Sequence, residues 1–182
     1  MAEVIRLERC ELRPWKKSDR ASIAKRANNP KIAIHLRDRF PYPYREADAK
    51  SWLAVVTKER PPHHAAIAVG GEAVGGIGVH VQSDVHRRSA EIGYWLGEDF
   101  WGRGIMTEAV RAYTEYAFET FDICRLFAGV FETNPASARV LEKAGYVLEG
   151  RLRRSVYKDG KMLDQLLYAR VLEEESPARK SD

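Results

Sequence analysis

The sequence predicts one mixed α/β domain over residues 1–172, followed by a polar tail at 173–182. Three observations predict it. The 182 residues suffice for one ordinary domain with a full core. Apolar and polar residues alternate with period two in about seven stretches, most of them closed by Gly, Pro, Asn or Asp. Between them run apolar stripes at three- and four-residue spacing, the pattern of helices that bury one face.

In chain order, Val4 to Leu12 reads as a first strand that Pro14 ends. Ser18 or Asp19 can cap a helix carrying Ile23, Ala24 and Ala27, which stops at Asn28-Asn29-Pro30. Lys31 to Phe40 reads as a short irregular helix. The prolines of Phe40-Pro41-Tyr42-Pro43-Tyr44 hold their neighbours extended, so this is an aromatic loop. With His35, Arg37 and Arg39 just upstream it either lines a substrate mouth or packs over the core. Arg45 to Glu59 reads as a helix with Trp52, Val55 and Val56 inward, ended by Pro61-Pro62. His64 to Val69 and Ala73 to Val81 form a hairpin about Gly70-Gly71-Glu72. Gly75, Gly76 and Gly78 in its second arm indicate a bulge or close packing against a neighbour. His63-His64 has no acid or cysteine at ligand spacing, so it is expected in a loop rather than on a metal.

The most informative stretch is Ala90 to Val110. Ile92, Tyr94 and Leu96 alternate with Glu91, Gly93 and Trp95, which makes a strand. Gly97, Glu98 and Asp99 break it, and Trp101-Gly102-Arg103-Gly104 forms a loop. Ile105 then opens a helix, with Ala109, Tyr113 and Ala117 at four-residue spacing. Two glycines directly before a helix leave its first N–H groups bare, and the helix dipole and Arg103 add positive charge. The place suits a phosphate or pyrophosphate. A plain tight turn would look the same. It is no P-loop, since Lys and Ser/Thr do not follow Gly104, and Thr107 stands where a dinucleotide fingerprint needs a third glycine.

After a strand at Arg125 to Phe131 comes a second marked stretch. Asn134 is a good N-cap, Pro135 suits the first helical position and Gly145 is a natural stop. Ser137, Val140, Leu141 and Ala144 share one face, so a hydroxyl sits on an inward stripe. It either bonds back to its own helix or cap, or meets a ligand. Tyr146 to Leu152 and Met162 to Leu172 are the last strands, joined through Asp159-Gly160.

Composition narrows the function. Thirty Lys and Arg against 26 Asp and Glu leave a net charge of +4, dispersed rather than gathered on one element. Direct nucleic-acid binding is therefore not expected. Two cysteines without metal spacing suit a reduced, cytoplasmic protein with no metal. The charged start MAEVIRLERCELR argues against a secretory leader, and no apolar run approaches a membrane span.

Three segments together resemble the GNAT superfamily of acetyl-CoA-dependent N-acetyltransferases. They are Glu91 to Leu96, Trp101 to Ala109, and Asn134-Pro135-Ala136-Ser137 with Leu141 to Tyr146. Within the superfamily the chain looks like the branch that acetylates the N-terminal amines of ribosomal proteins. The resemblance implies a twisted mixed sheet with helices on both faces and two splayed strands, at 91–96 and 125–131, with acetyl-CoA in the wedge. Pantetheine would pair with free backbone groups near Trp95 and Leu96. The pyrophosphate would sit on the amides of Gly102, Arg103, Gly104, Ile105, Met106 and Thr107, with Trp101 also at the cofactor, and Asn134 would bond the pantetheine arm. The superfamily motif usually opens with Gln or Arg where Trp101 stands, and many members carry a tyrosine where Leu141 stands. In the favoured branch a serine aligned with Ser137 is the proposed acid.

The implied reaction is direct acetyl transfer to a neutral amine. Glu91 is the candidate base, with a surface carboxylate beside Arg88 as the plain alternative, and Ser137 would protonate or fix the thiolate. Cys124 has no activating His near it in sequence, so no covalent cysteine intermediate is expected. The acceptor stays open between a protein N-terminus and a small amine such as a polyamine, amino sugar or amino acid. Its pocket would come from residues 30–45 and 150–162. The other reading is a non-catalytic ribosome- or RNA-associated module on the same fold. Oligomeric state is not legible, and a homodimer is compatible with the sequence.

Overall fold

In the computed structural model, which describes residues 4–172, eight strands join in one sheet among the described residues. They are β1 (Ile5–Arg6), β2 (Glu11–Arg13), β3 (His64–Val69), β4 (Glu72–Val81), β5 (Ser89–Leu96), β6 (Arg125–Phe131), β7 (Val147–Lys158) and β8 (Lys161–Val171). Their order is β1-β2-β3-β4-β5-β6-β8-β7. Every neighbouring pair is antiparallel except β5 with β6. A parallel pair needs a crossover, and the helix α4 (Ile105–Thr120) supplies it. The other helices are α1 (Arg20–Ala27), α2 (Pro30–Ala33), α3 (Glu46–Val56) and α5 (Pro135–Lys143).

The pleat sends alternate residues of the sheet into two cores. Ala65 and Ile67 of β3 pack into the larger one with Ile105, Ala109, Val110, Tyr113 and Ala117 of α4 and Leu141 of α5. Ala66, between them, joins Trp15 and the inner faces of α1 and α3 on the other side. Helices thus cover both faces, and the stripe expected along α4 is the buried one. Both readings of the β4 glycines hold. The ladder shifts register between Ile67 and Ala68, and a Cβ on Gly75 would lie 2.5 Å from the Trp95 carbonyl oxygen.

Three elements differ from expectation. The stretch from Val4 to Leu12 is a hairpin rather than one strand. Its turn lacks Gly, Asn and Pro, and is closed by Leu7 N–H on the Cys10 carbonyl at 2.9 Å. The Glu108 carboxylate of α4 accepts the Glu8 and Arg9 N–H groups at 2.7 and 3.2 Å. Helix α3 is shorter than 45–59 and buries Ala49, Leu53 and Val56, while Val55 lies off that stripe and is 62% exposed. The strand expected at 146–152 continues to Lys158, because register shifts near Gly150 and between Leu152 and Val156 bend it without ending it. The polar tail at 173–182 lies outside the described residues.

A buried ion pair ties the first helical layer to the sheet. Arg13 of β2 holds Asp19 through two bonds of 2.8 Å, and Asp19 also accepts the Lys16 N–H at 2.8 Å. Arg13 is 2% exposed and Asp19 6%. Asp19 therefore closes the single helical turn before α1 rather than capping α1 itself. Removing one partner strands the other charge in the interior. Asp19→Ala is expected to cost about 3–5 kcal/mol, read as a lower midpoint with unchanged slope in urea unfolding.

Candidate active site

Strands β5 and β6 pair at Ser89↔Arg125, Ala90↔Leu126 and Glu91↔Phe127, and then part. Beyond that point β5 stays with β4 as far as Leu96, and β6 stays with β8 as far as Phe131. The expected splay is present. Its backbone groups can be assigned from the ladder. Gln82 N–H donates to the Ser89 carbonyl at 2.9 Å and Gly97 N–H to the Val74 carbonyl at 2.8 Å. An antiparallel ladder alternates, so odd-numbered residues of β5 bond β4 and even-numbered ones face the gap. The groups without a strand partner therefore belong to Tyr94 and Leu96. The main chain of Trp95 is turned to β4, and its side chain lines the cleft. The Trp101 indole N–H donates to the Leu96 carbonyl at 2.8 Å, so the tryptophan at the head of the loop ties it back to the strand.

The loop then runs into α4. Gly102 and Gly104 have φ of +72° and +77°, a left-handed backbone that side chains resist. Gly104 is the N-cap and no side chain caps the helix. The first bond within the helix is Glu108 N–H to the Gly104 carbonyl at 3.1 Å. The N–H groups of Ile105, Met106 and Thr107 are thus left for an outside acceptor, at the positive end of a 16-residue helix. Ion pairs hold the loop in place. Glu98 binds Asn29 at 2.7 Å and pairs with Lys31, and Asp99 pairs with Arg26. Of the predicted anion-binding set, Arg103 does not line the cleft; its guanidinium lies 5.5 Å from the Phe100 ring centroid.

The second marked stretch meets the same gap. Asn134 accepts the Ser137 N–H at 3.2 Å with Pro135 in the first turn, as expected. The Ser137 hydroxyl lies 2.9 Å from the Tyr94 hydroxyl across the cleft. Burial pushes the Tyr94 phenol well above its usual range, so it stays protonated. Tyr94 is the residue that sequence reasoning missed. It stands between Ile92 and Leu96 on an apolar stripe and reads as core. The available signal was its hydroxyl, which a buried tyrosine must satisfy. Leu141, where a tyrosine would stand in other members, is fully buried in the core.

These parts share one cleft of about 1020 Å³, lined by Glu91, Trp95, Leu96, Trp101, Gly102, Ile105, Met106, Thr107, Asn134 and Ser137. At its other end stand Arg37, Arg39, Phe40 and Tyr44, so the aromatic loop lines the mouth while Phe40 and Tyr44 also pack on the smaller core. Glu91 is ion-paired with Arg37, not Arg88, which pairs with Asp122 at 3.4 Å. Residues 150–162 do not line the cleft. The tip of the β7–β8 hairpin supports it instead, through Lys158 on Asp38 at 2.7 Å. Among the described residues no cluster of three metal-ligating side chains occurs, and no helix is long and apolar enough to cross a membrane.

The acetyltransferase (GNAT) domain family matches residues 9–147. The ribosomal-protein-serine acetyltransferase of Escherichia coli is 33% identical over 86 residues, 47% of this chain and 48% of that protein. The ribosomal protein uS5-alanine N-acetyltransferase of the same organism is 32% identical over 106 residues, 57% of this chain and 55% of that protein. The chain spans about half the length of the curated relatives it matches. Among solved structures, Mycobacterium smegmatis RimJ in complex with CoA-disulfide aligns at TM-score 0.78 and 27% identity, over 89% of this chain and 81% of that one.

The left-handed glycine at the helix mouth gives a two-part prediction. Gly104→Ala should cost about 1–2 kcal/mol of stability in thermal or urea unfolding. It should also weaken coenzyme A binding severalfold by calorimetry, because the relaxed turn re-aims the bare amides.

Proposed function

The chain belongs to the GNAT acetyltransferase family, and from that premise we propose that it moves an acetyl group from acetyl-CoA directly to a primary amine, the N-terminal α-amine of a protein such as a ribosomal protein. The observation that carries this reading is a coincidence of two openings. The uncapped start of α4 and the gap between β5 and β6 face one cleft. The first suits a diphosphate and the second an extended arm with amides, which are the two halves of coenzyme A. The reading takes residues 1–172 as one catalytic unit, acting in the cytoplasm where ribosomal proteins are made.

Acetyl-CoA supplies an activated acyl group as its thioester. The Ile105, Met106 and Thr107 N–H groups bind its diphosphate, and Asn134, Tyr94 and Leu96 orient its arm. An N–H on the open edge of β5 polarises the thioester carbonyl. Ser137, backed by the Tyr94 phenol, donates to the departing sulfur. Glu91 supplies negative charge at the acceptor end, draws the ammonium in and is the first candidate for its proton. An α-amine has a pKa near 8, so only one proton has to leave before attack.

Charge at the mouth favours a peptide acceptor over a polycationic small amine. Arg37 and Arg39 stand there beside Glu91, so a polyamine would meet two cations. The E. coli relatives are named for a ribosomal-protein serine and a uS5 alanine, which supports peptides beginning with either residue as the first acceptors to try.

Peptides beginning with serine or alanine are expected to be acetylated faster than spermidine, glucosamine or free amino acids in an assay of coenzyme A release. With acetyl-CoA saturating, Glu91→Gln and Ser137→Ala should each lower kcat more than about threefold; both variants staying within that range would overturn the assigned roles. Absence of any rise in melting temperature with acetyl-CoA would favour the RNA-associated module instead, with RNA affinity falling steeply with salt.

A further inference from the structure

Glu91 is already engaged by Arg37, while a second group in the cleft is built to accept a proton. Glu59 follows α3, and its carboxylate is fully used on the start of β3. One oxygen accepts the His63 and His64 N–H groups at 2.9 and 3.1 Å, and the other lies 2.7 Å from His64 Nδ1. An ionised carboxylate only accepts, so Nδ1 carries the hydrogen and Nε2 presents its lone pair. The opposite edge of the ring lies over Gly78, where a Cβ would come within 2.3 Å of His64 Cδ2, the carbon bonded to Nε2. Gly78 pairs with Gly93 of β5, and a Cβ on Gly93 would meet nothing within 4 Å. Two facing glycines therefore leave a bare strip of sheet from the imidazole to the strand that borders the gap, about one strand spacing of 5 Å wide. His64 lines the cleft.

We propose that His64, in place of Glu91, is the proton acceptor for the incoming amine, with Glu59 as its positioning residue and Glu91 left as the anchor for the ammonium. The proposal rests on the acetyl-transfer reading above. The groups facing the imidazole are Glu59 from the loop after α3, His63 beside it, His80 of β4 with its ring centroid 5.4 Å away, and Arg39 from the mouth. Burial outweighs Glu59 and holds His64 below the ordinary histidine value, so the ring is neutral and able to accept near pH 7. His80 receives a hydrogen bond from Arg39 at 2.8 Å through Nε2, which leaves it no lone pair for the amine.

The protons balance as follows. The ammonium gives one proton to His64 Nε2, directly or through one water, and His64 later releases it to solvent. The neutral nitrogen forms the C–N bond as the C–S bond breaks and its electron pair goes to sulfur. The second proton shed by nitrogen matches the one that sulfur gains.

The test is kcat against pH, from about 5.5 to 9, with acetyl-CoA saturating and the best peptide of the panel as acceptor. Wild type should lose activity only below the ordinary histidine pKa of about 6.5. In His64→Gln the acid limb should move up towards the amine's own value of about 8, and kcat at pH 7 should fall about tenfold or more. Glu59→Gln should shift the limb in the same direction while the KM for acetyl-CoA stays put. Gly78→Ala, which displaces the ring without removing it, should behave likewise. Coenzyme A affinity by calorimetry should be unchanged in His64→Gln. An unmoved limb with kcat within about twofold of wild type, or an equal loss at every pH, would overturn the role of His64. A wild type that binds coenzyme A but acetylates no amine would instead overturn the transfer reading.

Discussion

Strand β6 is held along all seven of its residues by β8 on one edge, and β5 from Ala90 to Leu96 by β4, while on their facing edges the two parallel strands share only three pairs before they part. Everything in the site follows from that divergence. The chain leaving β5 and the chain leaving β6 both turn at the mouth of the gap, and each enters a helix there. The bare start of α4 and the Asn134-capped start of α5 thus face the same opening without either needing a long excursion. The gap also leaves the even-numbered main-chain groups of β5 without a strand partner, where the Leu96 carbonyl meets the Trp101 indole.

A gap held only by apolar packing would close, since unpaired strand edges seek partners. Here polar contacts brace the surroundings. The loop before α4 is fixed by Glu98 and Asp99 to Asn29, Lys31 and Arg26. Those residues sit on or beside α1 and α2, whose layer is joined to the sheet by the buried Arg13–Asp19 pair. The exposed pairs add little stability one by one. Together they set where the loop lies relative to the first helical layer.

Much of this was legible in the sequence because it is local. Gly102 and Gly104 before a helix, Asn134-Pro135 at a helix start, Gly145 at its end and Asp159-Gly160 in a hairpin each act on neighbours within a few residues, and each does so in the structure. What escaped was made by distant partners. The turn at Glu8-Arg9 depends on Glu108, the pairing of Glu91 on Arg37, and the exposure of Val55 on which side of α3 meets the sheet. The part played by Tyr94 escaped for the same reason. Its apolar body does pack against the core, and only the approach of Ser137 from α5 reveals the hydroxyl's partner. Spacing along a chain cannot report contacts that the topology creates later.

The bond from Lys158 to Asp38 joins the tip of the last hairpin to the loop that carries Arg37 and Arg39. It spans 120 positions of the chain and touches neither the glycine turn nor the parted strands. The site is therefore modular. A change in the length of the hairpin, or in the loop beneath it, would therefore move Arg37 and Arg39 while leaving the start of α4 and the gap beside β5 in place.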